Sequence, residues 1–368
     1  MIPTSTRAAV LTGHGKPLEL TTLPLPERLD PGAALVRIVC ATLCGTDIEI
    51  WEGKMSFPGM LPMVLGHEMV GEIIALGDRT HDALGTELKL GDRIGWSEST
   101  CGECYGCVSL REPVACEKRG YGFLQRSDTF PFSTAGLAEF SYIAPGSAKL
   151  RIPDNVKNTW GSMAGCAAKT VLRAVDRAGG IKVGSKVVIQ GSGALGIFAT
   201  AAAKLSGAAE VITVGSPAPR LDMARRFGAD RVVDIAVGSE AVVAKVLELT
   251  GGRGADYVFD FAGAKSVGKE AVGMAAQRGK VVVVGSTSRD DYPLPLGLVM
   301  GKELTILGSL NGDIADYARA IDFFRAFANA MPWDELFAAP VGLSEASACV
   351  DAMCKHHMIK AVIDPRIA

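Results

Sequence analysis

The sequence predicts an α/β protein in which an irregular β domain precedes a doubly wound parallel sheet. Two features of the chain lead to this prediction. Up to about Ile152, short apolar runs are separated by loops rich in Gly and Pro, which is typical of an irregular all-β domain. After Asn158, short runs of Val and Ile alternate with helical stretches. Strands joined by crossover helices form a parallel sheet whose two faces are covered.

Each domain has a characteristic set of predicted elements. In the first domain, Thr46–Trp51 is expected to form one or two helical turns, and the predicted strands are Ala34–Ala41, Glu68–Leu76, Leu90–Gly95 and Ala138–Ala144. In the second domain the predicted strands are Val187–Gln190, Glu210–Val214, Arg231–Ile235, Tyr257–Asp260, Lys280–Val284 and Glu303–Leu307. Its predicted helices are Ala194–Leu205, Arg220–Phe227, Glu240–Leu249 and Ser266–Ala276. The last part of the chain is expected to form helices Ile314–Phe327 and Ser344–Lys355 and a strand at Ile359–Ile363.

Composition excludes several classes of function. The chain has 368 residues, of which 48% are hydrophobic and 21% charged, as expected for a folded protein. A net charge of −2 offers no basic field for nucleic acid or anionic lipid. We find no apolar run of the ~20 residues that a membrane span needs, and Met1–Val10 does not resemble a secretory signal. We therefore expect a cytoplasmic protein without a membrane or nucleic-acid partner.

Four of the nine cysteines lie in one loop, at the spacing C-x2-C-x2-C-x8-C. Thiolates two residues apart in a tight loop point toward one centre, and four of them suit a closed tetrahedral zinc site. Free or disulfide-bonded cysteines are the alternative. A chain of this length can bury a core without disulfides, however, and the other cysteines are scattered. The predicted ligands of this structural zinc are Cys101, Cys104, Cys107 and Cys116.

A G-x-G-x-x-G turn lies directly between a predicted strand and a predicted helix. The first glycine permits a tight turn, the second lets a pyrophosphate approach the backbone, and the third lets the helix pack on the strand. Amides at the start of the helix then bind the phosphates. Glycines with a purely structural role are the alternative. The predicted cofactor-binding turn consists of Gly191, Ser192, Gly193, Ala194, Leu195 and Gly196.

The end of the second strand of this sheet bears on the choice between NAD and NADP. An acidic residue there would bind the adenosine ribose hydroxyls of NAD. The chain instead has Gly215 and Ser216, with Arg220 nearby, and these residues would accept a 2′-phosphate. NADP is therefore modestly favoured over NAD, although Pro217 stands where an arginine would have been a stronger signal.

Three further residues stand in short motifs far apart in the chain: Cys44, His67 and Cys166. Together with the two sites above they give the sequence its likeness to a known family. The chain resembles the zinc-dependent alcohol and polyol dehydrogenases of the medium-chain dehydrogenase/reductase family. The resemblance covers nearly the whole chain and is carried by Cys44-Gly-Thr-Asp47, Gly66-His-Glu68, Leu90-Gly-Asp-Arg93, the Cys101–Cys116 loop, Cys166, the Gly191–Gly196 turn and Met358-Ile-Lys360.

The resemblance implies a fold and an activity. The fold would be a GroES-like irregular β-barrel catalytic domain of residues 1–166, to which residues 312–368 return, and a Rossmann domain of residues 167–311 with a six-stranded parallel sheet. The active site would lie in the cleft between the two domains. The activity would be hydride transfer between a secondary, polyol or cyclic alcohol and NAD(P), with the alkoxide stabilised by a catalytic zinc.

The resemblance also implies roles for single residues. Cys44, His67 and Cys166 would bind the catalytic zinc and leave a fourth position open, so that each chain would hold two zinc ions. Asp47 would orient His67, and Glu68 would lie behind the metal. Thr46 would provide the hydroxyl that accepts the substrate proton. Thr170 would contact the nicotinamide, and Lys360 would contact the cofactor phosphates.

The sequence departs from the family pattern at two places. Many members have a histidine five residues after the first zinc cysteine, where this chain has Glu49, which could relay a proton or could be an exposed helix residue. The last gap of the cysteine loop is eight residues, where seven is usual. Cys116 remains the predicted fourth ligand, with Glu112 and Glu117 as alternative oxygen donors.

Two alternative functions remain open from the sequence. One is a zinc-independent enone or quinone reductase of the same superfamily, and the other is a protein that binds NAD(P)H without turnover. The expected partners are a small alcohol or carbonyl substrate and further copies of the chain, as a homodimer or homotetramer. The Leu304–Leu307 strand at the sheet edge is the expected contact between copies.

Overall fold

The chain forms two compact units. The computed structural model describes residues 2–78, 81–285 and 292–367. The first unit contains Met1–Lys169, Gly312–Ala328 and Trp333–Ala368, and the second contains Thr170–Asn311 and Asn329–Pro332. The division between the units falls after Lys169, inside a continuous run of helical residues. This run consists of Asn158–Met163, Ala164–Ala168 and Lys169–Arg177.

The first unit is built mainly from antiparallel strands. Its strands are β1 (Ser5–Leu11), β2 (Glu19–Pro24), β3 (Ala34–Thr42), β4 (Met63–Val64), β5 (Glu68–Leu76), β6 (Arg93–Ser99), β7 (Phe140–Ile143), β8 (Ser147–Arg151) and β15 (Val362–Ile363). Its helices are α1 (Gly45–Trp51), α2 (Tyr105–Val108), α3 (Asn158–Met163), α10 (Ile314–Ala326) and α11 (Ala346–Cys354). Short 3-10 turns lie at Pro113–Ala115, Gly122–Leu124, Trp333–Leu336 and Leu343–Glu345.

Strand β3 lies at the centre of this unit. Among the described residues, one sheet has the order β2-β1-β4, and the other has the order β15-β3-β5-β6-β8, with β7 also paired to β3. Eight of the nine residues of β3 are buried, because neighbouring strands and helix α3 cover it on all sides. The apolar side chains of the strands form a core that includes Val36, Ile38 and Leu65.

The second unit alternates parallel strands with helices. Its strands are β9 (Lys186–Gln190), β10 (Glu210–Gly215), β11 (Arg231–Asp234), β12 (Ala255–Asp260), β13 (Ala275–Val283) and β14 (Thr305–Gly308). Its helices are α4 (Lys169–Arg177, whose first residue belongs to the first unit), α5 (Ala194–Leu205), α6 (Ala218–Arg226), α7 (Ser239–Leu249), α8 (Val267–Met274) and α9 (Leu296–Gly301), with a 3-10 turn at Ile235–Val237. The described strands are all parallel, in the order β11-β10-β9-β12-β13-β14. This order confirms the predicted Rossmann sheet, in which a dinucleotide binds where the strand order reverses.

Several predicted boundaries were wrong for local reasons. The strand expected from Leu90 begins at Arg93, because Gly91 has φ +89° in a turn and donates its N–H to Ile73 O. The helix expected to reach Ala276 ends at Met274, and β13 begins at the next residue. The sequence analysis also missed four strands of the first unit, namely β1, β2, β4 and β8. Strand β2 has one buried residue out of six, so it lacks the apolar alternation that reveals a half-buried strand.

Candidate active site and zinc centres

The pairing of β3 with β5 brings Cys44 and His67 together. Thr42, the last residue of β3, is paired with Glu68, the first residue of β5. Cys44 lies two residues beyond the end of β3, and His67 lies one residue before the start of β5. The antiparallel register therefore brings two residues that are 23 positions apart to the same end of the strand pair.

Helix α3 and the turn after it bring Cys166 to the same place. The hydroxyl of Ser162 donates a hydrogen bond to Glu68 O at 2.8 Å, and its oxygen lies 2.9 Å from Thr42 Oγ1. Cys166 follows in a π-helical turn, Ala164–Ala168, which interrupts the α-helical hydrogen-bond pattern. Such turns recur at functional sites because they re-aim one side chain of a helix.

The side chains that converge here can hold a metal ion. The ligand atoms of Cys44, His67, Glu68 and Cys166 all lie within 4.8 Å of one another. The distance from Cys166 Sγ to His67 Nε2 is 3.5 Å. A tetrahedral zinc with ordinary Zn–S and Zn–N bonds would place these two atoms about 3.6 Å apart. The observed spacing therefore fits zinc.

Asp47 fixes the imidazole of His67. Its side chain is fully buried on α1 and accepts hydrogen bonds from Cys44 N at 2.8 Å and Gly66 N at 3.0 Å. Asp47 Oδ1 also lies 3.1 Å from His67 Nδ1, so the other ring nitrogen faces the two cysteines. Burial opposes the charged imidazolium, but Asp47 and Cys44 raise the pKa of His67 well above its usual value.

Glu68 is held by a buried network that the sequence analysis missed. Lys360 Nζ lies 2.5 Å from Glu68 Oε1, and Thr42 Oγ1 donates to Oε2 at 2.6 Å. Burial raises the pKa of Glu68 to about 7, against the lowering effect of Lys360. Because the ligand-atom group includes Glu68, its carboxylate is a possible fourth ligand as well as a partner of Lys360.

Lys360 has a partner that the sequence did not indicate. Its predicted contact to the cofactor phosphates stays a prediction. In the structure the side chain is 1% exposed, and Nζ also donates to Leu43 O at 3.3 Å. The buried carboxylate of Glu68 requires a cation, and Lys360 supplies it from the segment before β15.

Thr46 and Glu49 both lie on α1, which begins directly after Cys44. Both side chains are half-buried. Burial, together with the negative charge of Cys44, raises the pKa of the Glu49 carboxyl to about 7. Glu49 is therefore a group that changes its protonation near neutral pH, close to the metal-binding side chains.

The cysteine loop also has the geometry of a zinc site. The sulfur atoms of Cys101, Cys104, Cys107 and Cys116 lie within 4.8 Å of one another. The distance from Cys116 Sγ to Cys101 Sγ is 3.6 Å, and two sulfur atoms of a Zn(S)4 tetrahedron would be about 3.8 Å apart. The extra residue before Cys116 is taken up by the 3-10 turn Pro113–Ala115, and neither Glu112 nor Glu117 belongs to the ligand group.

The glycines of the dinucleotide turn occupy places where side chains would not fit. Gly191 has φ +109°. A Cβ on Gly196 would lie 1.9 Å from Gly191 O, so only glycine lets α5 start this close to β9. The space around Gly193 is open to 4 Å, which leaves room for a phosphate group beside the first amides of α5.

The end of β10 leaves no space for an acidic side chain. A Cβ on Gly215 would lie 2.5 Å from Ser192 Oγ and 3.0 Å from Ser192 N. Ser192 Oγ donates to Ser216 O at 2.8 Å and accepts from Ser216 N at 3.1 Å. Arg220 follows on α6, where burial lowers the pKa of its guanidinium.

Thr170 is buried near the start of α4.

Comparison with known proteins decides the family. A family described as an alcohol dehydrogenase GroES-like domain matches residues 30–154, and one described as a zinc-binding dehydrogenase matches residues 194–326. The 5-exo-hydroxycamphor dehydrogenase of Pseudomonas putida is 30% identical over 363 residues, which cover 97% of this chain and 98% of that protein. The chain belongs to the zinc-dependent medium-chain alcohol dehydrogenases.

Solved structures support the same assignment. An alcohol dehydrogenase from Thermotoga maritima has a TM-score of 0.89 at 26% identity, covering 98% of this chain and all of that one. A zinc-binding dehydrogenase from Sinorhizobium meliloti 1021, solved bound to NADP, has a TM-score of 0.84 at 25% identity and covers 99% of this chain and 100% of that one.

The family gives this chain an oxidoreductase activity on alcohols, with zinc and a nicotinamide cofactor. It also identifies the first unit as GroES-like, as the sequence analysis expected. Among residues 2–78, 81–285 and 292–367, every helix is too short or too polar to span a bilayer.

Proposed function

We propose that the chain transfers hydride between a secondary, polyol or cyclic alcohol and NAD(P), and that it holds two zinc ions. Cys44, His67 and Cys166 would hold the catalytic zinc, and the four cysteines of the 101–116 loop would hold the structural one. The observation that carries the proposal is the 3.5 Å spacing of Cys166 Sγ and His67 Nε2 within a partly buried group whose imidazole is oriented by Asp47. A zinc ion bound there would act as a Lewis acid that lowers the pKa of the substrate hydroxyl.

The residues of α1 would carry the proton. The hydroxyl of Thr46 would accept the proton of the substrate O–H bond, and Glu49 would pass it on toward solvent. NAD(P) held by the second unit would supply the acceptor for the hydride, and loss of this hydride and of the hydroxyl proton converts the alcohol to a carbonyl. The pKa of about 7 suits Glu49 to this role, because a proton relay works best near the operating pH.

The second unit would bind the cofactor at the Gly191–Gly196 turn, with Thr170 as the contact to the nicotinamide. We favour NADP over NAD. Gly215 lies at the end of β10, where an acid would bind the ribose hydroxyls of NAD, and Ser192 fills the space that such a side chain would need. Ser216 and Arg220 are then the candidate contacts of a 2′-phosphate. The similar dehydrogenase from Sinorhizobium meliloti 1021 was solved bound to NADP.

The name of one relative supports a cyclic substrate. The 5-exo-hydroxycamphor dehydrogenase, similar over nearly the whole chain, is named for a cyclic alcohol.

We further propose that the enzyme works in the cytoplasm as a homodimer or homotetramer, with contact between copies at β14. This strand is the edge of the parallel sheet, where backbone groups can pair with another copy.

Metal analysis of Cys44→Ser tests the function. The wild-type protein should hold close to two zinc ions per chain and reduce NAD or NADP in the presence of an alcohol. Cys44→Ser should lose one zinc and nearly all activity. Cys349 is a buried cysteine in the core of the first unit, so Cys349→Ser should keep both zinc ions and the activity. Full activity in Cys44→Ser, with one zinc bound in the wild type, would show that the catalytic assignment is wrong.

A further inference from the structure

A cavity of about 140 Å³ lies beside the candidate metal group, entirely within the first unit. His67 forms part of its wall, and so does Gly165, which precedes Cys166. A molecule in this cavity would therefore lie next to the proposed catalytic zinc.

Most of the cavity wall is apolar. Met69, Trp96, Phe123 and Pro131 contribute to it, and the ring of Phe123 contacts that of His67 with a centroid distance of 4.6 Å and an interplanar angle of 34°. These side chains suit a compact hydrocarbon skeleton, and Ser97, Gln125 and Thr134 add polar groups elsewhere on the wall.

One part of the wall is charged, which is unusual for an apolar cavity. Glu98 and Lys169 both line it, and Arg119 lies behind Glu98. Arg119 Nη2 is 2.9 Å and Lys169 Nζ is 3.4 Å from the same oxygen, Glu98 Oε2. The exposed fractions of the side chains are 5% for Arg119, 14% for Glu98 and 1% for Lys169. Burial alone would raise the pKa of Glu98, but Lys169 and Arg119 lower it to about 2, so the cluster contains two cations and one carboxylate.

The ammonium of Lys169 has more N–H donors than the hydrogen bond to Glu98 uses. An ammonium group carries three N–H donors. In the part of the chain that the structure describes, the partner of this ammonium is Glu98, and their 3.4 Å separation is long for a charged hydrogen bond. Arg119, by contrast, also donates to Val114 O at 3.2 Å and to Gly312 O at 3.4 Å. Burying an ammonium is costly unless its donors are used, so an oxygen atom supplied by a ligand would improve this site.

We propose that Lys169 binds a second oxygen atom of the substrate. The preferred substrate is then a compact, largely apolar alcohol that carries a carbonyl or hydroxyl oxygen besides the hydroxyl that is oxidised. This inference rests on the proposed function, since it assumes that the reacting hydroxyl lies at the metal group. The role of Glu98 is to hold the ammonium at the cavity wall, with Arg119 fixing the carboxylate from the other side.

Substrate comparison in the wild-type enzyme tests the proposal without any variant. The three alcohols are cyclohexanol, 4-methylcyclohexanol and 4-hydroxycyclohexanone, which share a ring and differ in the group at the 4-position. We expect kcat/KM for 4-hydroxycyclohexanone to exceed that of both other alcohols by about 10-fold or more, which is the usual effect of a hydrogen bond to a charged group. Equal values for the three alcohols would overturn the inference but leave the proposed function intact. Turnover of no alcohol at all would overturn both.

Lys169→Met then assigns the effect to this residue. It should lower kcat/KM for 4-hydroxycyclohexanone by about 10- to 100-fold and change the value for cyclohexanol by less than about 3-fold. The matched control is Lys149→Met, because Lys149 is another buried lysine of the first unit, hydrogen-bonded to Gly32 O at 2.7 Å and absent from the cavity wall. It should lower thermal stability without changing the ratio between the two alcohols. A proportional loss for both alcohols in Lys169→Met would show that the cluster is structural only.

Discussion

Lys360 and Glu68, 292 residues apart in the chain, form a buried ion pair directly behind the candidate catalytic zinc site. The carboxylate has no exposed surface and the ammonium has 1%. Removing one partner of such a pair leaves an uncompensated charge in the interior, which is far more costly than removing an exposed pair. Each partner is therefore needed to keep the other one buried, and the pair also fixes the position of the Glu68 carboxylate beside the metal-binding side chains.

The first prediction concerns this pair. Lys360→Met should lower the free energy of unfolding by about 3 to 5 kcal/mol, because Glu68 would remain buried without its cation. Urea denaturation followed by fluorescence would measure the change. The control is Lys355→Met, which removes an exposed pair with Asp351 and should cost less than about 1 kcal/mol. Equal losses in the two variants would contradict a stabilising role for the buried pair.

The second prediction concerns the orientation of His67. Asp47→Asn keeps the shape of the side chain but replaces one acceptor oxygen by a donor, so it can no longer accept hydrogen bonds at both oxygens from Cys44 N, Gly66 N and His67. Zinc affinity of the catalytic site should fall by about 10- to 100-fold, the usual effect of removing such a group. Competition with a chelator would measure it.

Asp82→Asn is the matched control for that variant. Asp82 is also buried and accepts hydrogen bonds from Leu84 N, Thr86 N and Arg151 N, but it does not contact the metal group. Asp82→Asn should lower the free energy of unfolding and leave both zinc ions bound. Unchanged zinc retention in Asp47→Asn would show that the imidazole needs no such orientation.

The third prediction concerns pH. Burial raises the pKa of Glu49 to about 7, so the carboxyl is protonated below this pH and can accept a proton above it. The rate of alcohol oxidation should therefore rise with pH through about 7. Glu49→Gln should lower kcat and remove this inflection from the pH profile. Glu52→Gln, three residues further along and paired with Lys54, should preserve it. A profile that is the same in wild type and Glu49→Gln would exclude the relay.

The fourth prediction concerns cofactor choice. Gly215→Asp should weaken binding of both NAD and NADP by about 10-fold or more, because the new side chain would overlap Ser192. The double variant Gly215→Asp with Ser192→Gly removes that overlap and should favour NAD, since the carboxylate can then bind ribose hydroxyls and would repel a 2′-phosphate. KM values for the two cofactors would measure the change. If the wild type already prefers NAD, the proposed NADP preference is wrong.

The two sites with short sequence spacing could be predicted before the structure was known. The four cysteines of the 101–116 loop lie within 16 consecutive residues, so local chain geometry brings them to one centre. The Gly191–Gly196 turn is likewise local, and its three glycines occupy a positive φ, an open space and a close backbone approach, as expected. The alternation of Val- and Ile-rich strands with helices also predicted the parallel sheet.

The dispersed site depended on resemblance rather than on pattern. No periodicity connects Cys44, His67 and Cys166, and no sequence pattern pairs Lys360 with Glu68 rather than with a cofactor. The β3–β5 register decides the first contact, and Ser162 on α3 links both strands to the turn that carries Cys166. These are long-range contacts, and their partners are chosen by burial and charge in the folded chain.

By itself, therefore, the sequence determined the fold class, the four-cysteine cluster of the 101–116 loop and the glycine-rich turn, because each follows from residues that are close in the chain. Only the tertiary structure decided that Lys360 neutralises Glu68 and that Lys169 meets Glu98 at a cavity beside His67. Buried charges must find partners wherever the fold places them, and those partners can be hundreds of residues away.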